Sequence, residues 1–358
     1  MKSISTHLLA LVLGMAVVIL WPRSETKISG GPSNPDPEPR PRKSSPGMQQ
    51  KQRSSSGKFR QMLTTREMNR EIAKSDLDTW IESMGDNASA KGQALAIAGL
   101  MLDDPELIRQ GIAADPHNPH TLFIGANFTN FDADEKLALR KRLMEADPNN
   151  ALAAYMTASQ LMADGNQQEA MNLLKDSAQR SQMDDFGTKT QLLMEEAYLA
   201  AGLSAQAASI RSTFEYGVPH LLEMKSLTKD MKSMHSAMAP EEVIESRRIA
   251  ATMGYRLSNQ STPNNIVNQL MGVSLELSTL EGLPDDAPSS YHGLNVGEAR
   301  SNIMAEKERL TQAANNFGDH QDRLMSDPDL MQRYIQRFRL TGEMEALQWL
   351  QRTLDAGE

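Results

Sequence analysis

The sequence predicts an all-α protein built from antiparallel helix hairpins, and three observations carry that expectation. Beyond residue 58, apolar residues recur at three- and four-residue spacing, and no run of alternating β-branched residues interrupts them. Helix starts are written into the chain. Asp104–Pro105–Glu106 and Asp327–Pro328–Asp329 each supply an N-cap, a proline at the first helical position and an acid favoured by the helix dipole. Ala239–Pro240–Glu241–Glu242 and Thr262–Pro263 carry the same signal. Glycines fall where helices should stop, at Gly165 and Gly202, because glycine takes a positive φ without a Cβ penalty.

Composition limits what those helices can do. The 358 residues include no Cys, which excludes disulfide scaffolding, thiol catalysis, thiolate zinc sites and an acylated-cysteine anchor. A net charge of −9 argues against general nucleic-acid binding through phosphate neutralisation.

The N-terminus has a different character. Leu8 to Trp21 is an unbroken apolar run, extended to Ile4 with only Ser5, Thr6 and His7 as polar interruptions. It reaches the short end of the length that spans a bilayer, about 17–25 residues. It ends in Trp21–Pro22–Arg23 with no small-residue cleavage pattern. We read residues 1–22 as an uncleaved signal-anchor, with a cleaved signal peptide and secretion as the alternative. The long tail behind it places the body outside the cytoplasm. Lys2 set against Arg23 and Lys27 gives the positive-inside rule little to act on.

Residues 23–57 form a linker rich in Pro, Ser and Gly, its closely spaced prolines favouring extended, disordered backbone. Residues 23–58 carry a net charge of +5, whereas residues 59–358 carry −15. A solvated spacer explains the basic stretch; contact with anionic lipid headgroups is the alternative.

Within the body, Ala151 to Gln179 reads ALAAYMTASQLMADGNQQEAMNLLKDSAQ, preceded by Asp147–Pro148. Ala158 stands at a helix crossing, Gly165 at a turn, and Glu169–Ala170 open a second helix whose buried face holds Leu174. Thr188 to Pro219 repeats the order with Met194, Tyr198, Gly202, Gln206 and Ala207, and a three-residue insertion falls around Ser181–Gly187. Asp115–Pro116 begins an earlier unit, with Gly125–Ala126 at the crossing and Phe131 where a turn glycine would fall. Residues 116–219 thus resemble the tetratricopeptide-repeat family. The resemblance implies an α-solenoid whose first helices line a concave, partner-binding face. Carried over, that face comprises Leu152, Tyr155, Ser159 and Met162 from one repeat, and Lys189, Leu192, Glu196 and Leu199 from the next. The alternative is that these side chains pack against the C-terminal half.

The repeat region is expected to end near residue 218, leaving 219–358 as a C-terminal helical bundle. Met224, Leu227, Met231, Met234 and Met238 fall at alternating three- and four-residue spacing and are expected to form a core stripe. Helices are expected over 241–257, 263–280, 298–315, 329–340 and 343–354. The connector 281–297, with Asp285, Asp286, Tyr291 and His292, is the place to look for specific chemistry. His117 and His120 are expected on a polar turn, without a third ligand at metal spacing. No catalytic, phosphate-binding or metal motif is present in the sequence, so no cofactor is expected.

The expected function is a membrane-anchored, non-catalytic adaptor that binds a protein or peptide outside the cytoplasm. Self-association through the C-terminal helices is the alternative, and an enzyme using the 281–297 loop a more distant one.

Overall fold

The computed structural model describes Met68 and residues 70–356, apart from 219, 261–263 and 290–292. The expected anchor and linker lie outside the described residues. An opening helix, α1 (Lys74–Ser83), leads into four hairpins. These are α2 with α3 (Ala88–Leu102, Pro105–Ala114) and α4 with α5 (Pro119–Asn127, Ala133–Ala146). Next come α6 with α7 (Ala151–Ala163, Gln167–Ser177) and α8 with α9 (Gly187–Ala200, Ala205–Glu215). A single helix, α10 (His220–Met234), precedes the hairpin of α11 and α12 (Pro240–Gln260, Ile266–Thr279). The long α13 (Val296–Ser326) then leads into α14 and α15 (Pro328–Thr341, Glu343–Asp355). The architecture is all-α, without a strand among the described residues; two isolated bridges join Asn150 to Gln182 and Pro288 to Asn295.

Local chemistry sets the helix starts. The Asp104 carboxylate accepts from the Glu106 and Leu107 amides at 2.9 and 3.3 Å, and Asp327 accepts from Leu330 at 2.9 Å. Two boundaries differ from expectation. Helix α12 starts at Ile266, where Asn265 accepts from the Asn268 amide at 2.7 Å; Thr262–Pro263 lie outside the described residues. Helix α13 runs on to Ser326 rather than ending at Asn315, because Phe317 and Leu324 continue its buried face. Phe317 stacks on Tyr334 of α14 at 5.7 Å between ring centroids.

The tightest hairpins cross on glycine. A Cβ on Gly92 of α2 would stand 2.7 Å from the Gly111 carbonyl oxygen of α3. The same arrangement recurs in α11 and α12, where a Cβ on Gly254 would stand 2.7 Å from the Gly272 carbonyl oxygen. Contact this close is available only to residues without side chains, and it extends the van der Waals contact between each helix pair. The α6–α7 and α8–α9 hairpins use alanine instead: Ala158, Ala170 and Ala207 are buried. Small size alone would also suit Gly165 and Gly202 to such nesting. Both are exposed, at φ +82° and +81°, so they serve the turns and not the crossings.

The hairpins do not form an open stack of nearest neighbours. Helix α8 lies against α2 and α1, and α10 lies along α6, so the chain curls back on itself. One continuous apolar core runs from Met68 to Leu350. Met224, Leu227 and Met231 are buried in it, and Met234 and Met238 pack against it as a core stripe. Phe131 fills its turn with aromatic packing, 5.3 Å from Phe128, under the Arg109 guanidinium at 4.8 Å.

A methyl group at Gly272 would meet the Gly254 carbonyl and, at 2.7 Å, the Ser258 amide nitrogen. Because those are backbone atoms, Gly272→Ala is expected to lower stability by about 1–3 kcal/mol despite alanine's better helix propensity. Denaturant titration followed by circular dichroism reads this directly; an unchanged midpoint would show that the two helices can part without cost.

Candidate partner-binding face

The eight residues assigned to a partner-binding face divide into two sets with different surroundings. Leu152 and Tyr155 of α6 are about 1% exposed, Met162 is buried and Ser159 is half-buried. Their cover comes from the same chain. Helix α10 packs along α6, and the Ser159 hydroxyl donates to the Glu223 carbonyl oxygen at 3.3 Å. Arg140 of α5 donates to the Met156 carbonyl at 2.9 Å and to the Glu223 carboxylate at 2.7 Å.

Arg256 of α11 closes the other end. Its Nη1 donates to the Tyr155 hydroxyl at 2.7 Å and to the Ser177 carbonyl at 2.9 Å. Its Nη2 donates to the carbonyls of Ala178, at 3.0 Å, and Arg180. A buried guanidinium thus completes the open carbonyls at the end of α7, where the helix dipole is negative. The α6 set is therefore occupied internally.

The α8 set faces outward. Leu192 and Leu199 remain 47% and 44% exposed, and Lys189 and Glu196 are exposed beside them. The spacing of three, four and three residues places all four on one helix face. Partial burial holds the Lys189 ammonium below its ordinary pKa. The opposite face of α8 is fixed to the body. Met194, Ala197 and Tyr198 are buried, and the Arg211 guanidinium covers the Tyr198 ring at 4.4 Å. Arg339 of α14 pairs with Glu195 and donates to the Ser212 hydroxyl at 2.9 Å, fastening the last hairpin to α8 and α9.

The start of α8 rests on a buried polar cluster. Asp184 and Asp185 accept from the Phe186 and Gly187 amides at 2.8 and 3.0 Å, holding Phe186 at φ +52°. His120 lies in α4, fully buried, with Nε2 2.9 Å from the Thr190 hydroxyl. The expectation of a polar turn at His120 is thus corrected: the Asn118 cap starts α4 before it, and the Phe186 ring covers it at 5.8 Å. His220, also fully buried, has Nε2 3.6 Å from Asp185 Oδ2, and Tyr216 donates to the Asp185 carbonyl at 3.0 Å. Burial depresses both imidazoles, His220 to about 4 and His120, next to Lys189, to about 3.

The 281–297 connector folds around a small core of its own, Leu280, Val296 and Ala299. Asp285 pairs with Arg300 and its carbonyl accepts from Gly297 at 2.9 Å, while Asp286 is exposed. Tyr291 and His292 lie outside the described residues. Among the described residues, no group of three or more His, Cys, Asp or Glu side chains could hold a metal ion.

No family model, curated protein or solved structure matches this chain. The face must therefore be read from its own geometry. The tetratricopeptide resemblance placed Lys189, Leu192, Glu196 and Leu199 on one face, whereas Arg256 and Arg140 were missed. Their carbonyl partners carry no residue-type signal.

Two measurements follow. Arg256→Met leaves three carbonyls and a tyrosine hydroxyl without their donor and is expected to cost about 3 kcal/mol or more. An equilibrium unfolding midpoint within experimental error of wild type would contradict that role. The histidines set a pH dependence. Both are neutral when folded, so below the unfolded pKa of about 6.5 the unfolded chain binds more protons. Their contribution is complete above that value and falls with pH by about 1.4 kcal/mol per unit for each histidine, until the folded value is reached. Buried Glu343, whose carboxyl is raised by desolvation, acts in the opposite sense. Comparing His220→Gln with wild type between pH 7 and pH 4.5 isolates the histidine term, and the variant should show the shallower slope.

Proposed function

We propose that the protein is a non-catalytic adaptor, tethered to a membrane by its N-terminal segment, that engages a protein or peptide partner outside the cytoplasm through α8. The observation that carries this reading is the outward stripe of Lys189, Leu192, Glu196 and Leu199 beside an α6 face already filled by the chain itself. The hairpins are read as tetratricopeptide-like on the residue pattern around Ala158, Gly165 and Ala170, repeated at Gly202 and Ala207. Tethering rests on the apolar run from Leu8 to Trp21 and the proline-rich spacer behind it. No helix among the described residues is long and apolar enough to cross a membrane.

The chemistry of the stripe sets the partner's properties. Two half-exposed leucines offer about 1 kcal/mol each on full burial, so the contact is weak by itself. A matching segment carries two apolar anchors spaced to meet leucines two helical turns apart, with an acid facing Lys189 and a base facing Glu196. Tethering offsets the weakness by raising effective concentration, since a 35-residue spacer limits how far the body strays from its anchor.

A second reading is self-association through the C-terminal helices. It is favoured by Leu340 and Ile244, which are 83% and 67% exposed.

Proximity crosslinking of the full-length protein in its own membranes tests the adaptor reading. Leu192→Asp with Leu199→Asp is expected to reduce the dominant crosslink about tenfold without shifting the melting temperature. An unchanged crosslink pattern would remove α8 from the interface. Sedimentation of the same variant and of Leu340→Glu separates self-association, which requires the second substitution to dissociate a dimer.

A further inference from the structure

The C-terminal half holds a half-open cleft of about 470 Å³ between α11, α12, α13 and the α14–α15 turn. That lies within the usual range for small-ligand pockets, about 300–1,000 Å³. Its floor exists because Gly254 and Gly272 let α11 and α12 touch. That contact brings the Ser258 hydroxyl to 3.3 Å from the Glu276 carboxylate, both residues being less than a tenth exposed.

Two amides line this cleft. Gln269 is 7% exposed and turns an amide toward the opening. The Asn264 Oδ1 is buried and unpartnered. A buried acceptor without a donor costs about 1–3 kcal/mol, and a ligand hydroxyl that reaches it recovers that cost. At the rim, the Tyr255 ring is 47% exposed, presenting an apolar face beside a polar tip.

We infer that this cleft binds a hydroxyl-rich, non-anionic small ligand of the carbohydrate class. Each sugar hydroxyl both donates and accepts. The Gln269 and Asn264 amides offer both functions, and the Glu276 carboxylate accepts. The carbon-bound hydrogens of a sugar ring supply the apolar face that packs on Tyr255. Charge excludes the anionic members of the class. The lining holds Glu276, Glu306 and Glu345, and Arg309 is engaged by Glu306 at 2.7 and 2.5 Å. A lipid or an apolar peptide is a poor fit, because the lining's aliphatic and thioether side chains are only Val273, Ile303 and Met344. This site is distinct from the α8 face and does not depend on the adaptor reading.

Saturation-transfer NMR on the full-length protein, with maltose, the N-acetylglucosamine dimer and glucose phosphate as probes, tests the inference. At least one neutral sugar should receive saturation and glucose phosphate should not. Gln269→Ala should weaken that binding about tenfold. Tyr255→Ala, at an exposed position whose loss leaves the core intact, should weaken it comparably with an unchanged melting curve. Absence of transfer to both neutral sugars would overturn the inference. So would preferential transfer to glucose phosphate, or neutral-sugar binding indifferent to both substitutions.

Discussion

The buried guanidinium of Arg256 is the contact on which the arrangement of the two halves rests. It reaches from α11 to the C-terminal end of α7 and the Tyr155 hydroxyl, and no carboxylate is among its hydrogen-bond acceptors. Burying a charge is costly unless its donors are satisfied, and here the helix-end carbonyls supply the compensating dipole. The interaction is therefore all or none. Losing the alignment of α7 with α11 would leave a buried cation and several carbonyls without partners. That asymmetry makes the C-terminal helices part of the same cooperative unit as the hairpins, consistent with the single core running through both.

Arg140 and Arg339 extend the principle. Each is less than a tenth exposed and ties helices distant in sequence: Arg140 joins α5 to α6 and α10, and Arg339 joins α14 to α8 and α9. Apolar packing supplies most of the driving force but is indifferent to small changes of register. Directional donors on buried arginines select one register among those that the core would accept.

The consequence is economy of surface. An array of hairpins ordinarily offers its inner helices to a partner. Here α10 and Arg256 occupy that place on α6, so the chain acts as its own partner over Leu152, Tyr155, Ser159 and Met162. Among the surfaces left open are the α8 stripe on one side and the amide-lined cleft on the other. Both sit on helices held rigidly from behind, α8 by Tyr198 and Arg339, α11 and α12 by their glycine crossing.

Much of the secondary structure was legible in the sequence, because periodicity and capping are local. Asp104, Asp327 and Pro240 start helices where the chain says they should, and Gly165 and Gly202 turn where a positive φ is needed. Leu192 and Leu199 were placed on one face by the tetratricopeptide resemblance, not by a local signal. The close crossings of α2 with α3 and of α11 with α12 were not legible, since nothing near Gly92 or Gly254 announces Gly111 or Gly272. His120 read as a polar turn residue because nothing near it announces Thr190, 70 residues on. By itself, then, the sequence determined where most helices begin and turn, though not that α13 runs on past Asn315. Only the tertiary structure decided which faces meet, because carbonyls and apolar side chains are alike everywhere along a chain and acquire specific partners only when distant segments are brought together.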